Sequence, residues 1–184
     1  MHHPSKRAQF ENTVLPHLDA AYNLARWLLR NEADADDVTQ EACVRAYRFF
    51  DSFRGGNAKT WLLTIVRHAC YSWLKQHRAE KSTMPYDEQL HSPNGNESAD
   101  ESSPYSASPE TLFLQNADRR LLEQCLTDLP LEFRETLILR ELESLSYKEI
   151  SAVLEVPIGT VMSRLARGRS LLQQKFVGHA REEA

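Results

Sequence analysis

Between residues 157 and 177 the chain carries Arg164, Arg167, Arg169 and Lys175 and no acid. That local charge suits phosphates and the acceptor edge of guanine. On a helix through this stretch Thr160, Ser163, Arg164 and Arg167 share one side, and Val161, Leu165 and Leu172 share the other. One side packs, and the other can read base edges. The preceding segment supplies the matching element. Ser146 and Glu149 are spaced as a capping box, in which the hydroxyl accepts from the Glu149 amide and the carboxylate accepts from the Ser146 amide. Ile150 and Leu154 point inward at i and i+4, Val156 fills the turn, and Pro157 stops one helix while being able to open the next. Residues 146–169 thus read as a helix-turn-helix aimed at duplex DNA. A solvated helix closing a bundle is the plainer alternative, but it leaves the joint occurrence of cap, turn spacing and one-sided basicity unexplained.

A second polar ridge lies upstream. Thr64, Arg67, His68, Tyr71, Lys75 and Arg78 fall on one helical face, opposite the apolar Leu62, Val66, Ala69 and Trp73. Tyr71, with Trp61 at the head of the helix, offers flat surfaces for unpaired bases, and neighbouring cations suit a single-stranded backbone. The loop Gly55-Gly56-Asn57-Ala58-Lys59-Thr60 is small and polar enough to approach a flipped base. Trp73 is expected in the core, and Trp61 can equally be a core aromatic. Farther upstream, Asp34, Asp36, Asp37 and Glu41 could be divalent-metal ligands, but three of them crowd a helix start, where the helix dipole favours negative charge. With Gln40, Arg45 and Arg48 nearby, the alternatives are a protein-docking surface and a merely solvated face.

The remaining chemistry is sparse. Cys43, Cys70 and Cys125 are widely spaced, no Cys-x-x-Cys pair occurs, and His68 and Cys70 diverge on a helix. Buried thiols in a reducing cytosol are expected, with no metal and no cofactor. No nucleophile–base–orienter arrangement is visible, so the expectation is a non-enzyme without a small-molecule substrate. No apolar run approaches the roughly 20 residues needed to cross a bilayer, and the N-terminal segment lacks the apolar core of a signal peptide. A cytoplasmic location without membrane insertion follows as an expectation.

These ridges need an all-α frame. Leu15, Leu18, Tyr22, Ala25 and Leu29 make one apolar stripe, and Val38, Ala42, Ala46, Phe49 and Phe53 make a second, with Asn31 to Asp36 separating them. Residues 80–111 hold four of the eight prolines, seven acids and one lysine, a composition unable to offset its ordering entropy. Beyond it, Leu112–Leu129 and Glu132–Leu142 read as helices leading to the helix-turn-helix. The expected organisation is two small helical domains: 1–79, a disordered acidic linker 80–111, a helix-turn-helix domain 112–177 and a tail 178–184. The net charge of −4 hides the basic blocks that flank the acidic one.

In both halves the residues resemble one family. The run from Asp34 to Arg48, then Phe53-Arg-Gly-Gly and Thr60-Trp-Leu, is similar to the second conserved region of the extracytoplasmic-function (ECF) sigma factors of bacterial RNA polymerase. Val156-Pro-Ile-Gly-Thr-Val-Met-Ser-Arg-Leu with Arg167-Gly-Arg is similar to their fourth region. The two in this order are far more specific than a lone helix-turn-helix. The resemblance implies a promoter-specificity subunit that binds core RNA polymerase and promoter DNA. It implies that Asp37, Gln40, Glu41 and Arg45 dock on the clamp helices of the largest polymerase subunit. Asn57, Lys59, Thr60, Trp61, Arg67, His68 and Tyr71 would engage the minus-10 element as it melts, and Thr160, Ser163, Arg164 and Arg167 would lie at the minus-35 element. The linker would thread towards the active-site channel, its acids mimicking a nucleic-acid backbone, and an anti-sigma factor would be a further partner. Met162 stands where some relatives are basic, and His68 where others carry different polar residues. The competing reading is an autonomous helix-turn-helix regulator whose first domain senses a ligand or dimerises. Such a protein would bind an operator without polymerase, with half-sites about one turn apart.

Overall fold

A computed structural model describes residues 5–83 and 109–182. Among these residues every regular element is helical: α1 (Lys6–Thr13), α2 (Leu18–Leu29), α3 (Glu32–Phe49), α4 (Ala58–Thr83), α5 (Pro109–Thr127), α6 (Leu131–Leu137), α7 (Tyr147–Leu154) and α8 (Ile158–Glu182). Short 3-10 turns follow α1 and α3, and a π-helical segment, Ile138–Leu142, continues α6. Most of the linker expected at 80–111 lies outside the described residues, although α4 runs to Thr83 and α5 begins at Pro109.

The first half is an α2–α3–α4 bundle. Pro16 sits in the 3-10 turn that separates α1 from α2, and the buried face of α2 is Ala21, Leu24, Ala25 and Leu28. The expected stripe is kept in part: Ala25 and Leu29 are buried, but Leu15 is exposed and Tyr22 only half-buried. No loop spans Asn31 to Asp36. The Asn31 side chain accepts from the Asp34 amide, and α3 begins at Glu32, as a strong N-cap dictates. At the other end α3 stops at Phe49, so Phe50 turns into the core against Phe10 and Phe53 while Phe49 faces solvent. Gly55 and Gly56 follow with φ of +85° and +98°, a conformation that favours glycine and sets the entry to α4.

The second half packs α6 and α7 against α8, with α5 alongside. The capping box forms as the spacing requires: Ser146 caps α7, and the Glu149 carboxylate accepts from the Ser146 amide at 2.7 Å. Ser146→Ala should cost about 1 kcal/mol, measurable as a lower denaturant midpoint with unchanged slope. Glu155, left-handed at φ 56°, ends α7, and Pro157 passes its carbonyl to the first turn of α8. Gly168 lets α8 approach α6, since a Cβ there would lie 3.2 Å from the Leu137 side chain.

The two halves pack on each other. Helix α4 lies against α7 and α2 against α6, and one continuous buried cluster runs from Leu24, Leu62 and Val66 to Leu139, Ile150 and Leu165.

Candidate nucleic-acid interface

Glu135 on α6 is 1% exposed. A buried carboxylate needs paired cations and filled acceptor sites, and three side chains supply them. Arg67 donates to it bidentately at 2.9 and 3.3 Å, and Tyr71 donates its hydroxyl at 3.0 Å. Arg164 of α8 stands 3.5 Å away, but its nitrogen is buried without a hydrogen bond, so this third contact is the loosest. Burial acts on the Arg67 guanidinium but is overcome by the bond and charge of Glu135, leaving its pKa raised. Burial, followed by the Glu135 charge, pushes the Tyr71 phenol up to about 12. The Arg67 guanidinium also lies over the Tyr71 ring at 4.5 Å.

The same pattern repeats along the seam. The ammonium of Lys59 pairs with the Glu143 carboxylate at 2.9 Å and donates to the Glu143 carbonyl. Asn23 of α2 donates to the other carboxylate oxygen at 2.7 Å. Asn57 donates to Glu149, and His68 lies 3.4 Å from Glu155. Hydrogen bonds from Ser146 first, and then from Asn57, hold Glu149 below the ordinary carboxylate range. Five of the seven residues expected at the minus-10 element (Asn57, Lys59, Arg67, His68 and Tyr71) thus meet four glutamates of the second half. The remaining two are structural here. Trp61 is half-buried against Phe50 and Phe53, with its ring centroid 5.1 Å from that of Phe53. The amide of Thr60 donates to the Asn57 side chain. Lys75 and Arg78, farther along the ridge, are exposed.

The α8 surface differs from the one expected. Ser163 and Arg167 are exposed, and Arg167 makes no ion pair with a described residue. Thr160 and Arg164 are half-buried, Arg164 because it turns towards Glu135. On α3, Asp37, Gln40 and Glu41 are exposed and Arg45 partly so, with Gln40 donating to Asp36 and Arg45 paired to Glu41 at 2.8 Å. These four residues share one face, beside the exposed Val44. Sequence reasoning overlooked Glu135 and Glu143. Their signal was an acid set among apolar neighbours, Phe133, Leu137 and Ile138 around the first and Leu139 and Leu145 around the second, where ionised side chains are seldom buried without partners. Among the described residues no group of three His, Cys, Asp or Glu could hold a metal, and no helix is long and apolar enough to cross a membrane. Cys70 and Cys125 are buried and Cys43 half-buried; burial pushes the Cys70 thiol up to about 12.

Residues 13–80 match sigma-70 region 2, and residues 119–172 match sigma-70 region 4. The ECF RNA polymerase sigma-E factor of Escherichia coli K12 is 36% identical over 77% of this chain and 73% of its own length. The chain belongs to the ECF sigma factors. The ECF RNA polymerase sigma factor SigE of Mycolicibacterium smegmatis is 31% identical over 95% of this chain, which spans 64% of that relative's length. The fold of this sigma factor is similar to that of RpoE from Bartonella quintana, solved in complex with the anti-sigma factor NepR. That match has a TM-score of 0.67 at 26% identity and covers 91% of this chain and 96% of the other. Regions 2 and 4 of this sigma factor are the two halves whose facing surfaces are joined by the four glutamates.

Proposed function

We propose that this chain is a promoter-directing subunit that performs no chemistry of its own, lends DNA contacts to core RNA polymerase in the cytoplasm, and is seen here in its closed form. One observation carries the reading. Arg67, from the surface assigned to the minus-10 element, and Arg164, from the helix assigned to the minus-35 element, stand on the same carboxylate. By the positions that name them, those elements lie about 25 base pairs apart, about 85 Å of B-form DNA at ~3.4 Å per step. Both surfaces cannot serve a promoter while they share Glu135, so the halves must part. The chain between Thr83 and Pro109 can reach about 85 Å when fully extended.

In the open form Asn57, Lys59, Thr60 and Trp61 shape the loop that meets the melted minus-10 strand. Arg67, His68 and Tyr71 then exchange glutamates for phosphates and bases. Thr160, Ser163, Arg164 and Arg167 present α8 to the minus-35 duplex. Asp37, Gln40, Glu41 and Arg45 dock on the polymerase. The likeness to a sigma factor solved with an anti-sigma factor supports such a partner here.

The test is transcription with purified core polymerase beside footprinting of the chain alone. The chain alone should leave promoter DNA unprotected, and adding core should give discrete start sites. A footprint from the chain alone, as a dimer on two half-sites, would instead establish the autonomous regulator. A second experiment tests docking. Asp37→Lys with Glu41→Lys should weaken core affinity about tenfold or more, about 1.4 kcal/mol, with helicity kept, because the Glu41–Arg45 pair it breaks is worth only a few tenths of a kcal/mol. Unchanged affinity by fluorescence anisotropy would remove α3 from the interface.

A further inference from the structure

In its first two turns α8 exposes a small apolar strip between its packed side and its polar side. Ile158 is 45% exposed and Met162 54% exposed. Gly159 and Ala166 are also exposed, and a Cβ placed on Gly159 would meet nothing within 4 Å. At 3.6 residues per turn, Ile158 and Met162 stack at i and i+4, with Gly159 and Ala166 beside Met162. The Ile158 and Met162 side chains are about half exposed, whereas Val161 and Leu165, three and seven positions after Ile158 and so next to the strip on the helix, are buried. Ser163, the polar residue nearest the strip, donates its hydroxyl proton to the Thr160 carbonyl at 3.0 Å. Arg167 stands on the polar side, a turn farther into the helix.

A recognition helix meets base edges with its N-terminal residues. Of the side chains exposed in these two turns, Ile158 and Met162 have no hydrogen-bonding group to offer, and the Ser163 hydroxyl has already given its proton. Among major-groove features an apolar side chain discriminates one, the thymine 5-methyl group. The glycine and alanine that flank Met162 let the helix backbone approach closely enough for an unbranched, flexible side chain to lie along the groove floor. We propose that Met162 is a specificity-determining residue that reads the 5-methyl group of a thymine in the upstream element, with Ile158 packing on the adjacent sugar or base edge. This inference rests on the assignment of α8 to the minus-35 duplex.

The experiment is competition transcription by the full chain with core polymerase, on promoters in which each upstream thymine is replaced singly by deoxyuridine, which removes only the methyl group. At one position the wild-type protein should lose about fourfold in promoter preference, the factor expected for uncovering one methyl. Met162→Ala should lose a similar factor on the thymine template and show no further loss on the uracil template, while Met162→Leu keeps most of the preference. Equal use of thymine and uracil templates at every position by the wild type overturns the proposal, as does a uracil penalty that persists undiminished in Met162→Ala. Arg167→Ala separates the two levels. If it still impairs upstream recognition, only the role of Met162 has failed. If it too leaves upstream recognition intact, α8 is not the reader, and the assignment beneath the proposal falls with it.

Discussion

Glu135→Ala should give the free chain an affinity for single-stranded minus-10 DNA that the wild type lacks, with both halves still helical. In the closed form the substitution leaves Arg67, its side chain 14% exposed, without its carboxylate. Stranding one member of a buried pair costs about 3–5 kcal/mol, and separation of the halves relieves it, because the guanidinium can then be hydrated. A loss of about 3 kcal/mol moves the closed–open equilibrium more than about a hundredfold. Apparent affinity for a ligand of the open form rises in proportion to that form's population. The same oligonucleotide should gain nothing from Glu135→Ala combined with Arg67→Ala, since the freed cation is what binds. Binding measured by anisotropy that is equal for wild type and Glu135→Ala would mean that Glu135 does not occupy the DNA site.

Tyr71 separates closure from recognition by a pair of substitutions of opposite effect. Tyr71→Phe removes the hydroxyl that donates to Glu135 at 3.0 Å, a bond to a charged group worth about 1.5–3 kcal/mol, but keeps the ring. It should loosen the seam and leave promoter melting intact or faster. Tyr71→Ala removes the ring as well, with about 1–3 kcal/mol of stacking on an unpaired base, and should slow open-complex formation about 10- to 100-fold. A template already melted at the minus-10 element should rescue much of that defect, because strand separation is no longer required. It should not rescue Arg167→Ala, whose proposed contact is with the upstream duplex. Identical responses of Tyr71→Ala and Arg167→Ala on the two templates in abortive transcription would contradict this division.

The helices and the helix-turn-helix were legible because their determinants are local. Ser146 and Glu149 are three residues apart, and the buried Ile150, Leu154, Val161 and Leu165 follow the helical period. Leu15 fell outside the stripe of α2 because Pro16 resets the chain before that helix, and Phe50 replaced Phe49 in the core because α3 ends between them. The outward face of α8 was rotated from the expected one for a different reason. Burial on a helix is decided by what packs on it, and Arg164 is drawn in by Glu135 on α6. The glutamate seam itself lay beyond any local pattern. Arg67 and Glu135 are 68 positions apart and Lys59 and Glu143 84, and a basic ridge read by itself gives no sign of the acids that will cover it. That Arg67, His68 and Tyr71 form one polar ridge on α4 was readable, whereas its covering by the second half needed the tertiary structure.

The central claim is that one surface of α4 is held in turn by the glutamates of the second half and by promoter DNA. The most direct test is the distance between labels placed by site-specific incorporation at the exposed Phe49 on α3 and Gln174 on α8, measured in the free chain and in the complex with core polymerase and promoter. A single short separation in the free chain, lengthening by tens of Å towards the roughly 85 Å between the elements, is the expected result. An unchanged short separation in a complex that is actively initiating transcription would contradict the account.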